Sequence, residues 1–273
     1  MKRIDIIDIT TEDILLKHTH TEKTNSKLFL PHYHEMCEIV FPIAGDVSYL
    51  VEGKSYKLRN HDIVISRPRQ IHTILPADGT TYERFVAIFD THILPADIWD
   101  KIKHGPDVYP SHENDRIAEL FLKLDFYREK FADENFTSIA RALIIEIAFN
   151  LSLYNEEESR ASVNPIIIRA LEYIKENLVK ITSVEDICSA LYITKSHLHH
   201  LFTKHLQVTP AKYIMAKKLM LAQKKIKKGA KPTQVYFECG FTDYATFFRN
   251  YKLHFGYSPS LEGKIITSHE ILA

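Results

Sequence analysis

The sequence predicts a multidomain α+β protein. An antiparallel β-barrel or sandwich comes first with a pair of helices behind it, followed by an all-α domain holding two helix-turn-helix units joined by a long helix. Three observations predict this. Short runs rich in β-branched and aromatic residues fill residues 1 to about 90. After residue 113 the apolar period becomes that of a helix, and from Pro165 to about Ser260 every apolar pattern is helical. The 273 residues, 45% of them hydrophobic, suffice for two domains with cores of their own.

The strand runs are CEIVFPI (37–43), VSYLVEG (47–53), SYKL (55–58), DIVISR (62–67) and YERFVAIFD (82–90), each bounded by turn residues. Residues 1–110 are assigned to this β domain. In the segment 111–154, Ile117, Leu120, Phe121 and Leu124 share one helix face, and Ile139, Leu143, Ile147 and Leu151 share another. The pair either packs on its own domain or joins two subunits. Residues 155–164 are polar, end in Asn-Pro and read as a linker to the domain at 165–262.

Charge divides along the same line. Residues 165–273 hold 16 Lys+Arg against 8 Asp+Glu, whereas the whole chain is neutral with 35 of each. A basic C-terminal part beside an acidic N-terminal one points to a polyanionic partner, or to no more than uneven solvated surfaces. Cys37, Cys188 and Cys239 are scattered among apolar neighbours and read as small buried hydrophobes in a reducing compartment. The N-terminus carries acids through its apolar stretch, unlike a signal peptide, and no run reaches the ~20 apolar residues of a membrane span. A cytoplasmic location without membrane association is expected.

In residues 182–206, Thr182 and Glu185 offer a capping box for a helix with Val184, Ile187 and Leu191 buried. After a tight turn, Thr194 can cap a second helix that buries Leu198, Leu201 and Phe202. Its outward face is Lys195, Ser196, His199, His200, Thr203 and Lys204, residues able to hold phosphates and read base edges. Residues 231–255 repeat the pattern: Pro232 stands near a helix start, Val235 and Phe237 are apolar positions, Cys-Gly-Phe is the turn, and Thr242 is a cap. Phe247 and Tyr251 then form the buried stripe, with Tyr244, Ala245, Phe248, Arg249 and Lys252 outward. Thr209 and Pro210 open the long helix between the units, which ends in five lysines within residues 224–231. Such a run is either a solvated helix end or a further source of phosphate contacts.

This arrangement, closing in GFTDYATFFRNYKLHFGYSP, resembles the DNA-binding domain of the AraC/XylS family of transcription regulators over residues 166–261. Three positions depart from the pattern: Gln207 stands where glycine is usual, Lys218 where Arg is frequent, and Phe248 where a small or polar residue is usual. The resemblance implies that the two recognition helices enter adjacent major-groove segments of double-stranded DNA, roughly 34 Å apart. Ser196, His199 and His200 would face bases, with Lys195 and Lys204 nearer phosphates. In the second unit, Tyr244, Ala245 and Arg249 would face the groove, with Lys252 beside them and Arg249 placed for a bidentate guanine contact. A homodimer and a contact with RNA polymerase are also implied.

The N-terminal part carries a second motif. His32, His34 and Glu38 share strand parity, so a continuous strand would point all three the same way, with His72 arriving from a neighbouring strand. The spacing His32-x-His34-x3-Glu38-x6-Gly45, with a later Pro68 and His72, resembles the cupin signature, though Gln70 replaces its glycine. Cupin metalloenzymes use such a set for Fe, Mn, Ni or Zn; the bland alternative is a group of hydrogen-bonded core histidines. Cupin-like sensors that precede AraC-type DNA-binding domains mostly bind a small molecule, commonly a sugar, without catalysis. The expected ligand-binding groups are therefore His32, His34, Glu38, His72, Tyr49 and Arg67, with Phe41 and Tyr82 as further lining. No cofactor is required and no catalytic residue is assigned; a divalent metal would sit at His32, His34, Glu38 and His72. The competing function is a metal-dependent cupin enzyme with a fused helical domain, for which two helix-turn-helix units and a basic C-terminal part serve no purpose.

Overall fold

A computed structural model describes residues 2–110, 115–154 and 162–262. The chain forms two compact units, one reaching to Ser162 and the other beginning at Val163. Of the expected linker, 155–161 lies outside the described residues.

The first unit contains β1 (Lys2–Thr10), β2 (Ile14–Glu22), β3 (Cys37–Ala44), β4 (Val47–Val51), β5 (Lys54–Lys57), β6 (Ile63–Ser66), β7 (His72–Pro76) and β8 (Tyr82–Phe89). Helix α1 (Ala96–His104), strand β9 (Val108–Tyr109), α2 (Asp115–Lys130) and α3 (Asp133–Leu151) follow. One antiparallel sheet runs β1-β2-β8-β3-β6-β9; in the second, β5, β4 and β7 adjoin in that order. Gly45 turns β3 into β4 at φ +136°, and a Cβ there would stand 3.1 Å from both the Thr81 carbonyl and the Tyr82 ring.

The inner strands β8, β3 and β6 of the six-stranded sheet pack on both faces, whereas edge strand β1 is mostly exposed, and strand alternation sorts the inner residues between two cores. Ile39, Phe41, Phe85, Ala87 and Phe89 join Ile117, Leu120, Phe121 and Leu124 of α2 and Leu143, Ile147 and Leu151 of α3. Phe41 stacks on Phe121 with centroids 4.7 Å apart and planes at 3°. Val40, Val64 and Tyr82 face the other way, onto Val47, Tyr49, Val51 and Tyr56. The helix pair therefore shares the sheet's core, and leaves Leu122, Phe126 and Phe149 exposed on its outer side. Helix α1 and the first hairpin went unnamed at the sequence level. The β1–β2 connection is held by Thr11, whose N–H donates to Ile14 O at 2.8 Å.

The second unit comprises α4 (Pro165–Asn177), α5 (Val184–Leu191), α6 (Lys195–Leu206), α7 (Pro210–Lys227), α8 (Pro232–Glu238) and α9 (Tyr244–Phe255). Asn164 accepts the amides of Ile166 and Ile167 and Pro165 fills the first helical position, so α4 starts sharply. The caps of α6 and α7 are Thr194 and Thr209, as their positions suggested. Two other caps shift by one residue. The capping box of α5 is Ser183 with Asp186, not Thr182 with Glu185, and α9 is capped by Asp243, with Thr242 before it. In α9 the Asp243 carboxylate takes the Thr246 amide in preference to the neighbouring hydroxyl, whereas in α5 one hydroxyl replaces another and Asp186 closes the box. Of the two apolar positions of α8, Val235 is buried and Phe237 is 75% exposed, since residues two apart on a helix do not share a face; Cys239, the C-cap, is buried with Val235.

Candidate functional site

In the first unit His32, His34, Glu38 and His72 come together, although not through a continuous strand. His32 forms an isolated bridge with His72, the chain bends at Glu35 and Met36, and β3 starts only at Cys37. The bend replaces strand alternation as the reason that the two early histidines meet Glu38. Four donor atoms, one from each residue, lie within 4.8 Å of one another. Glu38 Oε2 is 2.8 Å from His34 Nε2, 2.9 Å from His72 Nε2 and 3.9 Å from His32 Nε2.

Each ring is held from behind. The Nδ1–H groups donate to main-chain carbonyls: His32 to Leu30 at 3.0 Å, His34 to Met36 at 2.7 Å and His72 to Gln70 at 2.9 Å. With Nδ1 so engaged, each ring turns Nε2 toward Glu38, where His34 and His72 donate an Nε2–H to the carboxylate; once that proton is lost, the same Nε2 offers a lone pair in the orientation in which histidines are held at metal centres. Burial, reinforced by the neighbouring His72, lowers the His32 pKa to about 4, so this ring is a free base. Burial would likewise lower His34, but its hydrogen bond to Glu38 raises it. Burial would raise Glu38, yet the bonds from His34 and His72 hold it well below the usual carboxylate range. Donors bound opposite each other at ~2.1 Å from one ion stand about 4.2 Å apart. The four donor atoms, up to 4.8 Å apart, would therefore have to draw together to hold one divalent cation. Three imidazoles and a carboxylate suit Zn, Fe, Mn or Ni.

Tyr49 and Arg67, expected among the ligand-binding groups, are spent on the fold. Arg67 is buried and donates to Asp107 Oδ1 at 2.5 Å and to the carbonyls of Ile102, Gly105 and Pro106. Asp107 also accepts from Lys54 and Tyr56, each at 2.9 Å. Tyr49 donates to Ile65 O at 3.0 Å and meets Ser66 Oγ at 2.9 Å. Phe41 belongs to the helix-facing core. A second cluster was missed. His18 is 3% exposed and lies between Asp125 Oδ1 at 2.7 Å and Glu83 Oε1 at 3.0 Å, with His20 2.9 Å from Glu83 Oε2. Its signal in the sequence is the same His-x-His spacing, at 18 and 20.

In the second unit α5 and α6 pack through Ile187, Leu191, Leu198, Leu201 and Phe202, all buried. The turn between them is made by Tyr192 in the left-handed region at φ 57°. Lys195, Ser196, His199, His200 and Thr203 line one shallow surface groove along α6. Lys204 is exposed on the same helix, and Lys195 pairs with Glu185 at 2.6 Å. That pair is solvent-exposed on both sides, so it opposes a phosphate contact only weakly. On α9, Ala245, Arg249 and Lys252 are exposed, while Tyr244 and Phe248 are half-buried. Tyr244 packs edge-on against Tyr236 of α8, with centroids 5.7 Å apart. Arg249 is exposed, makes a 3.4 Å contact to Thr246 Oγ1 and lies close enough to Asp243 to help depress its carboxyl. Of the lysine run, Lys225 pairs with Glu238 at 2.5 Å.

Comparison with known proteins bears on both units. A family described as AraC-like ligand binding domain matches residues 19–124, and one described as Helix-turn-helix domain matches 187–261. The probable transcriptional regulator LumQ of Photobacterium leiognathi is 30% identical over 148 residues, covering 53% of this chain and 58% of that protein. This chain thus spans little more than half of LumQ. The uncharacterized HTH-type regulator YfiF of Bacillus subtilis is 23% identical, covering 87% of this chain and 80% of YfiF. The HTH-type transcriptional activator RhaS of Escherichia fergusonii is 21% identical, covering 85% and 86% respectively. An AraC-like ligand-binding domain ahead of paired helix-turn-helix units places this chain in the AraC-type family of DNA-binding transcription regulators.

Proposed function

We propose that the first unit senses a small molecule beside a divalent metal held by His32, His34, Glu38 and His72, and that its occupancy sets how α6 and α9 engage DNA. The observation that carries this reading is the convergence of three tethered imidazoles on one buried carboxylate. A bound ion would supply a Lewis-acid position for an oxygen of the effector, which the family resemblance suggests is a sugar or related metabolite. The effector acts by binding one arrangement of the protein better than another, since a ligand of equal affinity for both shifts nothing.

On the DNA side, Ser196, His199 and His200 read bases from α6, flanked by Lys195 and Lys204 on phosphates. Tyr244, Ala245 and Arg249 read from α9, with Lys252 on the backbone. Arg249 contributes ~1–3 kcal/mol of discrimination through a guanine. A homodimer forms through α2, whose Leu122 and Phe126 are one turn apart and 53% and 57% exposed. Such a regulator acts in the cytoplasm, where DNA and RNA polymerase are. Among the described residues no helix is long and apolar enough to cross a membrane.

The metal-ligand set is also the one feature that favours a metal-dependent enzyme. Elemental analysis of purified protein, beside gel-shift titrations at two salt concentrations with and without chelator, separates the readings. The regulator reading expects about one metal per chain and salt-sensitive DNA binding that responds to chelation. Stoichiometric metal with substrate turnover and no salt-dependent DNA binding would overturn it.

A further inference from the structure

Three polar atoms buried in the first unit lack a hydrogen-bond partner among the described residues: Thr19 Oγ1, Tyr82 Oη and Arg84 Nη1. They form one patch. In the β2–β8 ladder Thr19 stands directly opposite Arg84, and Thr21 opposite Tyr82. Residues two apart on a strand share a face, so Thr19, Tyr82 and Arg84 all point between the two sheets. Thr19 is 1% exposed and Tyr82 fully buried. The Arg84 guanidinium carbon lies 4.6 Å from the Tyr82 ring centroid and 5.5 Å from that of Phe29. Those rings orient the cation without accepting its N–H groups as a carboxylate would. Glu83, next in sequence, points to the opposite face and is taken up by His18 and His20.

A buried polar atom left without a partner is a marked exception in folded proteins and calls for an explanation. Here the missing partner has a definite chemistry. The guanidinium N–H can only donate and the two hydroxyls can donate as well as accept, so one acceptor group would satisfy all three, and a negatively charged one best. Burial pushes the Tyr82 phenol further up, so it stays a donor. Around the patch the lining is apolar: Phe29, Ile74 and Val86 pack beside Tyr82 and Val40. The β3–β8 ladder pairs Glu38 with Ile88, Val40 with Val86 and Pro42 with Arg84. Arg84 and Glu38 thus share one sheet face, their backbone positions offset by four residues, about 14 Å along the strands at ~3.4 Å per residue.

We propose that Arg84, Tyr82 and Thr19 bind the carboxylate of the effector, so that the first unit receives a small organic acid with an apolar body rather than a neutral sugar. The acid's body lies along Val86 and Val40, toward the histidine cluster. This assignment rests on the sensor reading and narrows it to one ligand class.

The test uses full-length protein, with thermal midpoints and calorimetric titrations against straight-chain C4 to C8 carboxylates. The matching alcohols, inorganic phosphate, and pentose and hexose sugars serve as comparisons. At least one carboxylate should raise the midpoint while its alcohol does not. Arg84→Met should weaken that binding at least tenfold. Tyr82→Phe should weaken it several-fold yet leave the ligand-free midpoint unchanged or higher, because the hydroxyl it removes had no partner; it also serves where Arg84→Met fails to fold. Binding of phosphate without any carboxylate would overturn the assignment. Sugar binding that Arg84→Met leaves intact would overturn it too, with the sensor reading standing. No shift from any acid, phosphate or sugar would overturn both.

Discussion

Lys218 Nζ stands 2.8 Å from the carbonyl oxygen of Gly240 and 2.7 Å from that of Ile181. A cation buried in α7 thereby ties the segment that enters the first helix-turn-helix to the turn of the second. Lys218→Met leaves two carbonyls without this donor. The expected loss is about 2–3 kcal/mol of unfolding free energy, read from urea titration, with DNA affinity per folded molecule unchanged.

Two turn positions in the same unit should respond with opposite signs. Gly240 has φ +74°, and a Cβ there would lie 2.3 Å from the Val179 carbonyl. Gly240→Ala combines a strained backbone with a main-chain clash, so a loss of about 3 kcal/mol or more is expected. Gln207 ends α6 in the left-handed region at φ 54°, where a side chain is unfavourable by ~1–2 kcal/mol. Glycine removes that strain and loses part of the gain to backbone freedom, ~0.5–1 kcal/mol. Gln207→Gly should therefore raise the thermal midpoint slightly.

Asp186 and Asp243 link α5 and α9 to pH. Backbone amides of Thr182 and Ser183 hold Asp186 below the usual carboxylate range, and the amide of Thr246 does the same for Asp243. A carboxyl depressed by folding stabilises the fold above its unfolded value, ~3.9, and that contribution disappears as pH falls through the folded value. The difference in thermal midpoint between wild type and Asp243→Asn should therefore be constant near neutrality and shrink below about pH 4. A difference that grew on acidification would contradict this.

Metal removal gives a separate handle on the first unit. At a free ion concentration one hundred times Kd, the folded state gains about 2.7 kcal/mol. Chelation should lower the midpoint of the wild type. His72→Gln should have a lower starting midpoint and little further response to chelator. Equal chelator responses in both proteins would remove His72 from the ligand set.

The second unit was legible in the sequence because its signals are local. Leu198, Leu201 and Phe202 lie within one turn and a half, and Thr194 and Thr209 sit at the starts they cap. The misplaced caps show the limit of that reading: Thr182 and Ser183 are adjacent hydroxyls, and the chain's path, not residue type, decides which one begins the helix. In the first unit the histidine cluster could be found from spacing, although the bend at Glu35–Met36 that assembles it could not. Arg67 is attractive in sequence as a ligand group, but Asp107, forty residues later, occupies it. The pairing of Thr19 with Arg84 is set by sheet register between strands distant in sequence, and nothing near either residue signals it.

The central claim is that α6 and α9 read adjacent segments of one duplex, and it is tested most directly by footprinting. A binding site is first selected from random DNA with the full-length protein, and protection is then mapped for wild type, His200→Ala and Arg249→Ala. Two protected major-groove segments about one helical turn apart are predicted, with His200→Ala weakening one and Arg249→Ala the other. A single protected segment, or two that neither substitution alters, would contradict the account.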